Sequence, residues 1–309
     1  MAAGGGCTVL QRDSARPSEK GEGMKAFAPR QILCAVDLGP ASQLVLGWAR
    51  LFAQAFGARV DVLHSDWGEP PRYFTPAQIE VIEAEAENRK AKLLDELAGM
   101  ARQVFGPQAE LAVNVVEGHP VPVLREHIQS HRPDLLVLGS HGRSGVARLM
   151  MGSVAENIVR ESPCPALVVR GGETAPPAIG RILCPVSFTE TGRGCLETSA
   201  ALAAAFHARL DVLHAAEEPG ARPEEVHDRL CQWVPSEARG HCEITEIVRH
   251  GRAAEQIILQ AREHPVDMMV LAGEHRPLLE MTTLGTTTER VMRHSPCSVL
   301  VLPRGLAQS

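Results

Sequence analysis

The sequence predicts two tandem α/β domains, each a five-stranded parallel sheet sandwiched between helices. Three observations carry this. Short β-rich apolar runs alternate with helical patterns through the first half until a fifth strand is reached, an order that implies parallel pairing through crossover helices. The same text then starts again: ILCAVD at 32–37 returns as ILCPVS at 182–187, and RVDVLH at 59–64 returns as RLDVLH at 209–214, both 150 residues on. Further along, DLLVLGSHGR at 134–143 returns as DMMVLAGEHR at 267–276, and SPC at 162–164 recurs at 295–297, both 133 residues on. The copies are therefore homologous repeats. The second is 17 residues shorter between its second strand and Gly251, the counterpart of Gly118.

Residues 30–37 read as a strand that ends on an acid, Asp37. A helix follows over 41–56, with Leu44, Val45, Trp48, Leu51 and Phe52 at helical spacing and Gly57 as its stop. Residues 59–64 form the second strand, and Pro70, Pro71 and Pro76 break the chain after it. A long amphipathic helix with a charged face spans 79–105, a third strand 109–116, and a helix 121–131. The fourth and fifth strands are expected at 135–138 and 166–169. The shortened helix of the second copy is placed at 223–234. Residues 1–28 read as a disordered tail, 29–171 as the first domain, 172–180 as a proline- and glycine-containing linker, and 181–304 as the second domain.

The chain has 309 residues, a formal net charge of −6 and only 4% aromatic residues. That balance argues against a broad electrostatic grip on nucleic acid or an anionic membrane, and against base-stacking platforms. There is no apolar leader, and no stretch reaches the roughly 18 apolar residues of a membrane helix, so a cytoplasmic protein is expected. The eight cysteines contain no C-x-x-C pair. Cys34, Cys164, Cys184 and Cys297 read as small buried hydrophobes, and Cys195, Cys231 and Cys242 as more loosely placed. Thirteen histidines are present, but no ligand spacing singles out a metal site. His64 and His214 recur at strand ends and read as a shared structural position. Asp61 and Asp211 recur in mid-strand and are expected to face the domain interface or solvent.

The stretch 134–169 carries the chemistry. Gly139 ends the fourth strand, Gly142 follows, and after nine more residues Gly152 and Ser153 open a helical pattern. Glycines let backbone N–H groups approach an anion closely, and a helix N-terminus is partly positive. Ser153 and Asp37 also fit simple helix capping, which is compatible with a ligand role. Arg143 and Arg148 suit phosphate oxygens, but read first as solvated loop charges.

With Gly139, Gly142, Gly152 and Ser153 in this strand–loop–helix context, with Asp37 after the first strand and with S-P-C repeated, the chain resembles the universal stress protein A family in its tandem form. The resemblance covers about residues 30–304. It implies a Rossmann-like fold of the adenine-nucleotide-binding α/β type, with ATP, and magnesium with it, at the carboxyl ends of the strands. It places Asp37 by the adenosine, Gly118 near the ribose, and Gly139, His141, Gly142 and Arg143 in the loop. Gly152, Ser153 and Val154 face the phosphates, and Ala35, Val36, Val62, Leu63 and Leu138 wall the adenine. It further implies that the two copies pack as an intramolecular pseudo-dimer. Their last strands are the expected edges for pairing, and a homodimer of the whole chain stays open.

The second copy departs from this pattern. Ser187 replaces Asp37, Arg276 replaces Gly142, and the loop to Gly285 is one residue shorter, so its site is expected to be degenerate. The leading expectation is an ATP-binding stress or signalling protein without a catalytic residue. A slow ATPase or autophosphorylating enzyme and a nucleotide-independent scaffold with vestigial sites are the alternatives. No Walker-type lysine follows the glycines.

Overall fold

The computed structural model of the chain describes residues 27–67, 76–141, 151–171, 178–218, 220, 222–273 and 285–303, with backbone only over 76–83. The first repeat runs β1 (Gln31–Ala35), α1 (Ser42–Phe56), β2 (Arg59–Asp66), α2 (Pro76–Phe105), β3 (Leu111–Glu117), α3 (Pro120–His131), β4 (Leu135–Gly139), α4 (Ser153–Glu161) and β5 (Ala166–Val169). The second runs β6 (Arg181–Pro185), α5 (Glu190–Phe206), β7 (Arg209–Ala216), α6 (Pro223–Trp233), α7 (Ser236–His241), β8 (Ile244–His250), α8 (Ala253–Glu263), β9 (Met268–Ala272), α9 (Thr286–His294) and β10 (Ser298–Leu302). The short α7 was not legible as a separate element. The helix expected at 223–234 is α6, and Pro235 caps a further short helix beyond it.

All ten strands form one sheet in the order β3-β2-β1-β4-β5-β10-β9-β6-β7-β8. Within each repeat the pairing is parallel. The repeats meet where β5 and β10 pair antiparallel, Leu167 opposite Leu300, so the edges expected to seek partners find each other. Because β1 lies between β2 and β4, the chain leaves it in opposite directions across the sheet. This is the switch point at which open α/β sheets present a crevice.

Two apolar layers cover the sheet, as the near-continuous burial of its strands requires. Ile32, Cys34, Val60 and Val62 lie in the layer covered by α1 and α2, which continues across the junction into the layer under α5 and α6. Leu33, Leu63, Leu136 and Leu138 face α3 and α4. Helix α1 buries Val45, Leu46, Trp48, Ala49 and Phe52, and ends where Gly57, at φ 66°, donates its N–H to Ala53 O. On the first face the repeats are joined by aromatic rings: Phe52 lies 5.1 Å and Phe56 5.9 Å from Phe206, both edge-on. On the other face Arg293 pairs with Glu156 at 2.7 Å, and Arg160 reaches Glu289 at 4.0 Å. These two ion pairs are exchanged by the local two-fold relation between the repeats.

Several expectations are corrected. Asp61 and Asp211 face neither the interface nor solvent. They are 8% and 1% exposed and satisfied within their own repeats, Asp61 by Asn114 and His127 and Asp211 by Arg181. Cys195 is fully buried and donates to Val270 O. Phe27, at the end of the expected tail, packs edge-on against Phe56 at 6.3 Å; residues 1–26 lie outside the described residues. The four strand cysteines are buried as expected, and burial pushes the Cys297 thiol up to about 11, which keeps it from acting as a thiolate. Among the described residues no helix is long and apolar enough to cross a membrane.

His64 and His214 do share one structural role. Their Nδ1 atoms donate to Val36 O at 2.9 Å and Val186 O at 3.0 Å, tying the loop after the first strand of each repeat to the second strand. His214 also lies under the Phe188 ring, 4.1 Å away. Burial, and secondarily the Arg229 guanidinium, lower its pKa below 6.5, against the opposing hydrogen bond to Val186. The unfolded chain therefore takes up this proton first as pH falls through about 6.5, and stability present above that pH is lost below it. His214→Gln, which keeps a donor for Val186 O, is expected to flatten the fall of the urea midpoint between about pH 7 and 5.

Candidate functional site

A cleft of about 460 Å³ opens at the carboxyl ends of β1, β2 and β4, at the switch point. Ala35, Val36 and Asp37 form its wall after β1; Leu63, His64 and Ser65 enter from β2. Leu138, Gly139, Ser140 and His141 enter from β4, and Gly152 to Ala155 close it with the start of α4. This volume lies in the range of small-molecule sites, about 300–1,000 Å³.

The local chemistry explains each wall. Asp37 Oδ1 accepts from Gly39 N at 2.9 Å and from Ser42 Oγ at 3.1 Å, so the acid folds its own turn into α1. A Cβ on Gly39 would stand 3.0 Å from both carboxylate oxygens of Asp37, so a larger residue there would press on the acid. Helix α1 takes no side-chain cap at Ala41, and Asp37 instead reaches the hydroxyl of its first residue. On the opposite wall Gly152 is the N-cap of α4, with φ −68° and ψ 147°, and Ser153 is the first helical residue. The expected cap thus moves by one position. The N–H groups of the first turn have no acceptor within the helix and point to the cleft end. Gly152 N donates to Ser140 O at 2.7 Å, which draws the helix start against the end of β4. His141 Nδ1 is bonded to Ser140 Oγ at 2.8 Å. Its Nε2 is buried and has no hydrogen-bond partner among the described residues.

Of the residues the sequence singled out, Ala35, Val36, Asp37, Leu63, Leu138, Gly139, His141, Gly152, Ser153 and Val154 line this one cleft. Val62 points to the other face of the sheet, into the α1–α2 layer, because side chains alternate along a strand. Gly118, at φ 139°, is set one layer back: its carbonyl accepts from Ser65 Oγ, and Ser65 and Pro120 present the surface. Gly142, Arg143 and Arg148 lie outside the described residues. The sequence reading missed Ala41, Val45, Trp67, Pro120 and Leu124. Trp67 carried a signal, being one of three Trp in an aromatic-poor chain; it is 60% exposed at the cleft rim, edge-on to His119.

The second repeat shows what was exchanged. Ser187 stands for Asp37 and Gly192 for Ser42, so acid and hydroxyl are lost together. A Cβ at Gly192 would meet Ser187 O at 2.1 Å. The loop backbone has moved into the space that the Ser42 side chain occupies in the first repeat. Thr189 takes over the capping, accepting from Gly192 N at 3.1 Å. Arg276 lies outside the described residues.

Comparison with known families matches residues 29–170 and 178–303, separately, to the universal stress protein family. The chain belongs to that family. A universal stress protein of Thermus aquaticus is 30% identical over 141 residues, which is 46% of this chain and 98% of that protein. A universal stress protein of Mycobacterium bovis is 27% identical over 240 residues, covering 70% of this chain and 77% of its own. The crystal structure of a universal stress protein from Archaeoglobus fulgidus superimposes with a TM-score of 0.64 at 19% identity, over 90% of this chain and 98% of that one. That likeness establishes the fold of the tandem.

Proposed function

We propose that the first repeat binds ATP in this cleft, and that its occupancy sets the state of a cytoplasmic stress-response or signalling protein. The observation that carries the reading is that a helix N-terminus and an acid both line one switch-point cleft. Phosphates suit the first turn of α4, where Ser153 and Val154 offer N–H groups and Ser153 a hydroxyl. The orphaned His141 Nε2 supplies a further polar contact. Asp37 suits the hydroxyls and nitrogen-bound hydrogens of the nucleoside, and Ala35, Val36, Leu63 and Leu138 suit its base. Magnesium is expected to arrive with the phosphates, since such ions keep several waters and lean on substrate oxygens. A sensor of this kind requires no general base for hydrolysis.

Titrating ATP into the full chain by calorimetry is expected to show one site per chain. Asp37→Ser, which copies the second repeat, is expected to weaken it by at least about tenfold, the loss of one hydrogen bond to a charged group. Ligand at about 100 times its Kd adds roughly 2.7 kcal/mol of stability, visible as a rise in Tm. Absence of binding heat and of any Tm shift in the unmodified chain refutes the proposal, and two equal sites refute the degeneracy of the second repeat.

A further inference from the structure

Asp61 sits in the middle of β2 beneath α3, almost fully buried. A buried carboxylate requires a compensating charge or a full set of donors. Its counterpart in the second repeat, Asp211, has a built-in cation: Arg181 donates to Oδ2 through Nε at 2.9 Å and through its terminal nitrogen at 2.8 Å. In the first repeat Gln31 occupies the position of Arg181. Asp61 meets His127 Nε2 at 2.5 Å and Asn114 Nδ2 at 2.8 Å instead. His131 lies one helical turn after His127 on α3, and the two imidazoles stack 3.9 Å apart at 15°. Ligand atoms from Asp61, His127 and His131 all lie within 4.8 Å of one another.

We propose that Asp61, His127 and His131 form a binding site for a divalent transition-metal ion of the zinc class. The donor set is two imidazoles and one carboxylate, a combination that suits zinc and its neighbours and leaves a position for water. Ligands at zinc's bond lengths stand about 3.3 Å apart in a tetrahedron, a separation bracketed by the 2.5 Å contact and the 4.8 Å limit. The surrounding bonds hold the ligands close, and to take one ion the stacked rings turn out of parallel and the 2.5 Å contact opens. Asn114 Nδ2 occupies Asp61 Oδ1, which turns Oδ2 to the site. His131 Nδ1 donates to His127 O at 3.1 Å, which fixes the tautomer with the Nε2 lone pair free for a metal. When the ion enters, His127 takes the tautomer with its single proton on Nδ1, and the metal bonds Nε2 and Asp61 Oδ2 in place of their hydrogen bond. The ion supplies the positive charge that Arg181 supplies in the other repeat. There Gln260 stands for His127 and is held by Arg249 Nε at 2.6 Å, so the second repeat has a fixed cation where the first has an exchangeable one. The three side chains do not line the nucleotide cleft, so the site stands apart from the function proposed above.

The test uses the full chain, freed of metal by a chelator, and zinc or cobalt(II) alone as the probe. Calorimetry is expected to give one tight zinc equivalent for the unmodified chain. His131→Ala removes an exposed ring and is expected to lower that affinity at least tenfold, as is Asp61→Asn, which retains partners for Asn114 and His127. Cobalt(II) is expected to give visible d–d bands that both variants lack. Circular dichroism of the metal-free variants checks their folding, and if one misfolds the other still decides. No zinc bound by the unmodified chain overturns the proposal. So does unchanged affinity and stoichiometry in the folded variants, which would place the ion elsewhere, for example at the exposed Cys231–His227 pair, 3.6 Å apart.

Discussion

Replacing Phe52 by alanine is expected to destabilise the chain by about 3–5 kcal/mol, the usual cost of deleting a fully buried phenyl ring. Phe52 is 0% exposed. It packs on Phe56 at 6.1 Å within its own helix and on Phe206 of the other repeat at 5.1 Å. Elsewhere at the junction Arg170 donates to Met292 O and Arg293 O of the other repeat. The β5–β10 ladder has three registered pairs, and the ion pairs of the opposite face involve half-exposed arginines, worth at most about 1 kcal/mol each. The loss should therefore appear as weakened coupling between repeats as well as lower stability. Urea unfolding of the unmodified chain is expected to be a single transition, and that of Phe52→Ala to split in two with the first midpoint well below it. Glu156→Gln is the matched control at the ion pairs and should move the midpoint by less than about 1 kcal/mol. A comparably small shift for Phe52→Ala would mean that the sheet alone joins the repeats.

The fold was legible because its signals are local and duplicated. Alternating short apolar runs and helical periods fixed the element order, and the repeat gave each strand a second reading. The cleft was legible where glycines and an acid mark chain turns: Asp37, Gly139 and Gly152 occupy positions whose chemistry is set by backbone geometry. Trp67, Pro120 and Leu124 were not, because they come from two separate stretches, the end of β2 and the start of α3, and meet only once these are stacked. Asp61 illustrates the same limit from the other side. A mid-strand acid reads as solvent-facing until the partners that satisfy it, Asn114 and His127, are known, and they lie 53 and 66 residues away. The His-x-x-x-His spacing on α3 was visible in the sequence, but only the third donor from a neighbouring strand gives it the form of a site. Val62 was misplaced for a simpler reason, the two-residue alternation of strand side chains, which puts it back to back with Leu63.

Ser153→Pro is expected to lower ATP affinity by at least about 100-fold while leaving the fold intact. Proline is favoured at the first position of a helix, because that N–H has no acceptor in the helix and the fixed φ already suits it. The preceding residue must then be extended, and Gly152, at φ −68° and ψ 147°, already is. The substitution therefore strips one N–H and one hydroxyl from the cleft without disturbing α4, and Tm in the absence of nucleotide should stay within about 1 °C, less than about 1 kcal/mol for a chain of this size. Each hydrogen bond to a charged phosphate contributes about 1.5–3 kcal/mol, so losing two accounts for the factor of 100 or more. Ser153→Ala removes only the hydroxyl and should cost about tenfold. Adenosine, which has no phosphate, should bind the unmodified chain and Ser153→Pro alike; equal ATP affinity in the two would place the phosphates away from α4. Thr286→Pro is the internal control. Helix α9 starts in the same way, with Gly285 as its cap at φ −57° and ψ 143°. The second repeat lacks the acid and hydroxyl pair, and its loop has closed on Gly192, so Thr286→Pro should change neither the affinity nor the number of sites. A helix N-terminus is present in both repeats. If only the first responds, what that repeat alone carries, Asp37 with Ser42, Gly142 and the longer loop, is what makes the terminus a nucleotide site.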